Sequence, residues 1–183
     1  MEVRSLEIPD VKLIIPRRFA DERGYFEQSY HRKDYLAAGI EANFVQDNCS
    51  KSVKGVLRGL HYQRQHPQAK LVSVLSGAVF DVAVDIRQSS PHFGQWVGAE
   101  LSASNGHQLF VPHGFAHGFL VLSDEAVFSY KCDDYYTAGD EYCIRWDDPD
   151  IGIAWPLVGQ PSLSPKDQLG ESLSQVLTKI LFD

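Results

Sequence analysis

The chain has 183 residues, of which 44% are hydrophobic and 22% charged, so we expect a single globular domain over residues 1–183. A net charge of −7 without any basic run argues against nucleic-acid binding, which needs a local excess of lysine and arginine. No apolar run approaches the roughly 20 residues that span a bilayer, and the N-terminus lacks a signal-peptide pattern, so we expect a cytoplasmic protein without membrane contact.

The first predicted element is a short helix over residues 32–38, with Gly39 at its C′ position. Downstream, segments rich in β-branched and aromatic residues alternate with turn clusters. The predicted strands cover residues 72–74, 78–86, 95–101, 107–111, 117–121 and 126–132. A second short helix is predicted over residues 171–179. Regular short strands with few helices predict an all-β sandwich or barrel.

Two stretches resemble the paired signature of the cupins, which are small jelly-roll barrels. The residues that carry the resemblance are His61, Gln63, Lys70 and Gly77 in the first stretch, and Gly106, Pro112, Gly114 and His117 in the second. Glycine and proline suit the tight turns between strands. We therefore expect a cupin-type jelly-roll barrel (a double-stranded β-helix), with His61 and His117 pointing into its interior.

The same positions argue against a metal centre. Gln63 stands where metal-binding cupins carry a second histidine, and Lys70 stands where they carry a carboxylate. Zinc, iron and manganese usually need three or four His, Cys or carboxylate ligands, and a cation among them opposes binding. The three cysteines, Cys49, Cys132 and Cys143, form no CxxC pair and predict small packing residues. We expect no metal and no other cofactor.

A barrel that holds histidine, lysine and tyrosine suits proton transfer beside a carbonyl. Histidine is the natural base near neutral pH, and His61 is the candidate. Lys70 could stabilise the enolate oxygen as its charge develops, and Tyr130 could return a proton to the opposite face. Spacing alone leaves open that His61 and Tyr130 are core residues with satisfied hydrogen bonds.

Five longer stretches resemble the dTDP-4-dehydrorhamnose 3,5-epimerase family and occur in the family's order. They cover residues 19–26, 44–63, 111–119, 130–136 and 163–167. The resemblance implies that His61 is the base that removes protons at C3 and C5 of a 4-keto-6-deoxy sugar, and that Asp167 orients it. It further implies that Tyr130 is the general acid and that Lys70 lies near the C4 oxygen.

The resemblance also implies a set of substrate-binding residues. Arg23 and Arg58 match diphosphate-contacting arginines, whose forked guanidinium suits phosphate oxygens. The other matching positions are Gln46, Asp47 and Asn48 at the nucleotide, and His117, Glu141 and Lys166 at further ligand contacts. Gln28 departs from the family, which usually has a glutamate there, and this substitution puts the contact with the nucleotide in doubt.

The function expected from this resemblance is conversion of dTDP-4-dehydro-6-deoxy-D-glucose into dTDP-4-dehydro-L-rhamnose, by a homodimer. N-terminal strands are expected to pack on the partner subunit, and the apolar stretch 11–15 is the candidate surface. Three alternatives stay open. They are an epimerase acting at C3 or C5 alone, a metal-dependent cupin oxygenase or isomerase, and a non-catalytic barrel that binds sugar nucleotides.

Overall fold

A computed structural model describes residues 1–177 and residue 182. The strands are β1 (Glu2–Ser5), β2 (Lys12–Ile15), β3 (Arg18–Asp21), β4 (Gly24–Glu27), β5 (Gln46–Val53), β6 (Leu57–Gln63), β7 (Lys70–Ser76), β8 (Ala78–Asp85), β9 (Trp96–Ser102), β10 (Gln108–Val111), β11 (Phe115–Val121), β12 (Glu125–Cys132) and β13 (Glu141–Cys143). The helices are α1 (Arg32–Ala37), a 3-10 turn (Asp167–Leu169) and α2 (Leu173–Leu177).

Two antiparallel sheets form the body of the fold. One has the order β1-β2-β10-β7-β12-β5 and the other β13-β6-β11-β8-β9, while β3 and β4 form a separate hairpin. Strands adjacent in the sequence often lie in different sheets, as in a jelly roll. The all-β, cupin-type prediction is therefore confirmed, and neither helix of the described residues has the length and apolar character to cross a membrane.

The main core fills the space between the two sheets. Val79 and Ala83 of β8 point into this space and are fully buried, as are Val72 and Leu109 from the opposite sheet. On the far side of the five-stranded sheet, a second core that includes Leu173 is covered by the C-terminal segment. The strands are thus buried on both faces, which explains their irregular alternation of apolar and polar residues.

Each predicted strand has a counterpart, with boundaries that differ by at most two residues; β7 extends two residues beyond the predicted segment 72–74 at each end. The predicted helix 32–38 is α1, and Gly39 follows it at φ +78°, a conformation that glycine adopts without strain. Of the predicted helix 171–179, the structure shows Leu173–Leu177, and residues 178 and 179 lie outside the described residues.

Strands β6 and β11 approach each other closely at two glycines. A Cβ atom on Gly59 would lie 2.6 Å from Gly118 Cα, and one on Gly118 would lie 2.7 Å from the Arg58 carbonyl oxygen. Gly59 also has φ +134°. Only glycine fits at this crossing, which is two residues before His61 and therefore helps to fix where that side chain lies.

Within the apolar stretch 11–15, Val11 and Ile14 are fully buried in this chain, Val11 in the main core and Ile14 beside Tyr35. The expected packing of the N-terminal strands on a partner stays a prediction, and these two side chains are not exposed for it. The exposed apolar groups of the N-terminal region lie instead on the β3–β4 hairpin, where Phe19, Tyr25 and Phe26 are at least half exposed.

Candidate active site

A cleft of about 70 Å³ opens at one end of the barrel. Its walls come from the inward faces of β6, β7, β12 and β13. The lining residues are His61, Tyr62, Gln63, Gln68, Lys70, Tyr130, Tyr136 and Glu141. The fold thus brings the predicted base, the predicted acid and the predicted lysine into one cavity, although they are up to 69 residues apart in the sequence.

His61 forms a short contact with a buried carboxylate. Its Nε2 atom lies 2.5 Å from Asp167 Oδ1, and Asp167 is 3% exposed. Burial raises the pKa of Asp167, but hydrogen bonds from His61 and Ser164 outweigh it and hold that pKa below its ordinary value. Because the carboxylate is ionised, Nε2 donates the hydrogen bond and Nδ1 keeps the basic lone pair.

Ser164 holds the other oxygen of the same carboxylate. Its hydroxyl donates to Asp167 Oδ2 at 2.8 Å, and the backbone N–H of Asp167 donates to Ser164 Oγ at 3.1 Å. This reciprocal pair fixes the start of the 3-10 turn that carries Asp167. The carboxylate is therefore held in one orientation before any substrate binds.

Lys70 begins β7 and lines the cleft. It stands opposite Cys132 in the pairing of β7 with β12. Burial lowers the pKa of Lys70, while the nearby Glu141 and Asp81 carboxylates pull it upward. Lys70 makes no ion pair with any of the described residues, so its Nζ atom is available to an oxygen in the cleft.

His117 lies deeper in the barrel, where it pairs with Asp81. Its Nε2 atom is 2.9 and 3.0 Å from the two oxygens of Asp81, which is fully buried. Burial raises the pKa of Asp81, and the nearby His117 and Lys70 act against that shift. The pair therefore places a second histidine–carboxylate unit beneath the cleft.

Tyr130 projects from β12 into the same cleft. Burial is the main cause that raises its pKa above the ordinary value, and the nearby Arg58 guanidinium partly offsets the shift. The phenol is therefore protonated at neutral pH. A protonated hydroxyl that faces the cavity can donate a proton to a substrate carbon.

Glu141 and Lys166 form an ion pair at the mouth of the cleft. Burial raises the pKa of Glu141, yet the hydrogen bond from Lys166 and the nearby His61 keep it below its ordinary value. That hydrogen bond also raises the pKa of Lys166, although burial acts in the other direction. The predicted contacts at these two positions thus lie together, beside the base.

The three predicted nucleotide-binding residues of strand β5 point to two different faces of the strand. Gln46 and Asn48 are half-buried and hydrogen-bonded to each other at 3.1 Å, and Gln46 accepts from the backbone N–H of the cleft residue Tyr136. Asp47 points to the opposite face, where it accepts from Lys131 at 2.9 Å. Its side chain therefore does not face the cleft, because neighbouring residues of a strand point to opposite sides.

Arg58 comes before the Gly59 crossing and donates two hydrogen bonds to Ser52 Oγ, at 3.1 and 3.0 Å. Its guanidinium group lies close enough to Tyr130 to offset part of the rise in that residue's pKa. The arginine is exposed at the rim, so it can reach an anionic group that extends out of the cleft.

Arg23 and Gln28 are not among the residues that line the cleft. Arg23 lies at the tip of the β3–β4 hairpin, 85% exposed, and its side chain contacts only Asp21 among the described residues. Gln28 follows β4 and is also exposed. Within one subunit, these two predicted binding residues are separate from the catalytic cluster.

The cupin metal positions do not fit a metal. The Gln63 amide donates to the carbonyl oxygens of His66 and Tyr135 and accepts from the N–H of Thr137. His117 is bound to Asp81, and a lysine occupies the carboxylate position. No step of the chemistry is therefore assigned to a metal held by these positions.

Sequence reasoning missed three side chains next to the predicted ones. The sequence held a signal for Asp81, because a carboxylate between the buried residues Val79 and Ala83 of one strand is unusual. Ser164 stands three residues before Asp167, a spacing that suits a hydroxyl bonded to the backbone of a short turn. The third, Cys143, lies beside the His61–Asp167 pair and showed no signal in the sequence.

The comparisons with known proteins agree with this geometry. The profile of the family described as dTDP-4-dehydrorhamnose 3,5-epimerase matches residues 5–175. A curated enzyme of that name from Shigella flexneri is 56% identical over 173 residues, covering 93% of this chain and 95% of its own.

Solved structures show the same likeness. The dTDP-6-deoxy-D-glucose-3,5-epimerase from Legionella pneumophila, in complex with dTDP-4-keto-L-rhamnose, is 52% identical with a TM-score of 0.96, covering 99% of this chain and 97% of its own. A 3′-monoepimerase from Streptomyces bikiniensis, in complex with dTDP-quinovose, is 31% identical with a TM-score of 0.89, covering 95% and 89%. The chain belongs to the dTDP-4-dehydrorhamnose 3,5-epimerase family.

Proposed function

We propose that this chain is an epimerase that converts dTDP-4-dehydro-6-deoxy-D-glucose into dTDP-4-dehydro-L-rhamnose, by inverting C3 and C5. The observation that carries the proposal is the His61–Asp167 pair in one cleft with Lys70 and Tyr130. Together they provide a base, a group for the developing oxyanion and an acid. The family membership and the likeness to an enzyme solved with dTDP-4-keto-L-rhamnose support the same substrate.

The reaction uses the acidity of carbons that flank a ketone. His61 Nδ1 removes the proton from C3, and the electron pair of the C–H bond moves to the C4 oxygen to give an enolate. Asp167 stabilises the imidazolium that forms, and Lys70 stabilises the enolate oxygen. The enolate collapses back to the ketone as C3 takes a proton from the Tyr130 hydroxyl on the opposite face.

The same groups serve C5, because C3 and C5 are both bonded to C4. Between the two inversions, the Tyr130 phenolate regains a proton and His61 releases one, each by exchange with water. Every proton removed is thus replaced, and the substrate undergoes no net oxidation or reduction. The proposal therefore needs no metal, nicotinamide or flavin.

We assign the nucleoside diphosphate to the rim of the cleft. Gln46 and Asn48 lie on β5, which pairs with the Tyr130 strand, and Arg58 on β6 binds Ser52 of β5. The Glu141–Lys166 pair lies at the mouth. Asp47 would contribute through its backbone. His117 would contact the sugar from below, held in position by Asp81.

We propose a homodimer, supported by the location of Arg23 and Gln28. If these residues contact the nucleotide, the exposed β3–β4 hairpin must deliver them to the cleft of a second subunit. The exposed aromatic side chains of Phe19, Tyr25 and Phe26 would be covered by the same contact. Nucleotide sugars are made and used in the cytoplasm, and we place the enzyme there.

The decisive experiment is turnover of dTDP-4-dehydro-6-deoxy-D-glucose in heavy water, followed by analysis of deuterium in the recovered sugar. We expect deuterium at both C3 and C5, together with the L-rhamno ketone. Label at one carbon alone would replace the proposal with a single-site epimerase, the activity of the Streptomyces bikiniensis relative. Absence of label at both carbons would leave a binding protein.

A further inference from the structure

Three potential metal ligands of different chemistry meet beside the proposed base. The His61 Nε2, Cys143 Sγ and Asp167 Oδ1 atoms all lie within 4.8 Å of one another. Cys143 Sγ is 3.9 Å from Asp167 Oδ1. These ligands come from β6, β13 and the 3-10 turn, and only His61 belongs to the cupin metal positions.

We propose that this triad is an inhibitory site for Zn²⁺ and related thiophilic divalent cations. Tetrahedral zinc with one nitrogen, one oxygen and one sulfur ligand separates its ligand atoms by about 3.3–3.7 Å. The imidazole and the carboxylate, now 2.5 Å apart, would need to separate by about 1 Å to admit the ion. Water would take the fourth position.

The protonation balance explains why a bound ion would stop the reaction. A neutral imidazole has one basic lone pair, and coordination through Nε2 uses it and moves the ring proton to Nδ1. Nδ1 can then no longer accept a proton from C3 or C5. The Cys143 thiol must release its proton to water as the sulfur binds the ion.

The surroundings favour a thiophilic cation over magnesium or calcium. One thiolate, one imidazole and one carboxylate match the preference of zinc and cobalt, whereas magnesium and calcium need mostly oxygen ligands. The nearby Glu141 carboxyl group pairs with Lys166 at the edge of the site. Cys143 and Glu141 line the neighbouring surface cleft, which offers a route to the site.

The test uses the whole enzyme and Co²⁺ as a spectroscopic probe. Thiolate bound to Co²⁺ gives a charge-transfer absorption in the near ultraviolet, which reports the sulfur ligand independently of activity. We expect this band in the wild type, its loss on addition of Zn²⁺, and its absence in C143A and C143S. The matched control is C49S, which removes an exposed cysteine outside the site and should keep the band.

Inhibition is the second readout and rests on the proposed function. Removal of a second-shell group costs about 10–100-fold in metal affinity, so loss of the sulfur ligand should raise the inhibitory Zn²⁺ concentration by about 100-fold or more. A wild-type band that persists in C143S, or Co²⁺ binding without any band, would overturn the site. If the band behaves as expected but no epimerase activity exists, the metal site stands and the proposed function fails.

Discussion

His61 stands directly opposite His117 in the antiparallel pairing of β6 with β11. Each histidine contacts its own carboxylate, because Asp167 comes from the C-terminal 3-10 turn and Asp81 from β8. His61 keeps 26% of its side chain exposed in the cleft, whereas His117 keeps 8%. The two pairs are therefore not equivalent, because His61 is the histidine that is more accessible from the cleft.

The Asp167 carboxylate should matter more to turnover than to binding. We expect D167N to lower kcat by about 10²–10⁴, because loss of the equivalent carboxylate in serine proteases costs about 10⁴ by leaving the wrong tautomer. S164A keeps the charge and removes only the two hydrogen bonds of the Ser164 hydroxyl, so its loss should be much smaller. Steady-state kinetics of both variants provide the measurement. Equal losses of kcat in D167N and S164A would contradict a role for the Asp167 charge and would leave this carboxylate with a structural role only.

Tyr130 should be required for inversion but not for nucleotide binding. In Y130F, His61 can still remove the proton, but the face opposite the base loses its proton donor. We therefore expect Y130F to exchange the substrate proton with heavy water faster than it inverts the carbon. We expect kcat for the epimerised product to fall by about 10²–10⁴. NMR of the recovered sugar separates the two processes. A large loss of dTDP affinity with normal turnover would contradict this role.

Lys70 should stabilise the enolate oxygen. K70A removes its charge from the cleft, and we expect a loss of about 10²–10³ in the rate of enolisation, as for other oxyanion donors. The rate of deuterium uptake at saturating substrate measures this step. A near-normal rate would show that Lys70 does not act on the enolate oxygen and serves only as a surface residue or a phosphate contact.

The Gly59 crossing should tolerate no side chain. G55A serves as the matched control, because Gly55 also has positive φ but no atom within 4 Å of the added Cβ. G55A should cost about 1–2 kcal/mol in the free energy of unfolding, from backbone strain alone. G59A should cost clearly more and also reduce activity, because the strand must shift next to His61. Denaturant unfolding measures the stability of the two variants, and kcat measures their activity. Similar losses of stability would show that the two strands can separate cheaply.

Stability in acid should depend on Asp85. Burial raises its pKa, but hydrogen bonds from Arg87 and Ser90 outweigh that effect and lower it. The contribution of Asp85 is therefore fully present above its unfolded pKa of about 3.9 and is lost as the pH falls through the lower folded value. At pH 7, D85N should cost about 2 kcal/mol. Thermal melts from pH 7 to pH 3 should show a smaller decline in D85N than in the wild type.

The sequence predicted the fold where strands are regular and the site where motifs are long. The strands from β7 to β12 were found because turn residues separate them, whereas β1 to β4 are four residues each and gave too little pattern. Asp47 was grouped with its neighbours because a linear motif does not show that strand residues alternate between faces. Arg23 matched the family motif, but its distance from the cleft is a property of the folded hairpin.

The hydrogen bonds of Gln63 bear on what it would take to build a metal centre at the cupin positions of this chain. That amide binds three backbone groups from two loops, so it supports the chain around the cleft. Replacing it with histidine would leave backbone groups without partners before any ion could bind. Introducing a carboxylate at position 70 would in addition remove a lysine that lines the cleft. A metal centre at these positions thus requires several coordinated changes, and the first of them already costs hydrogen bonds that hold the loops in place.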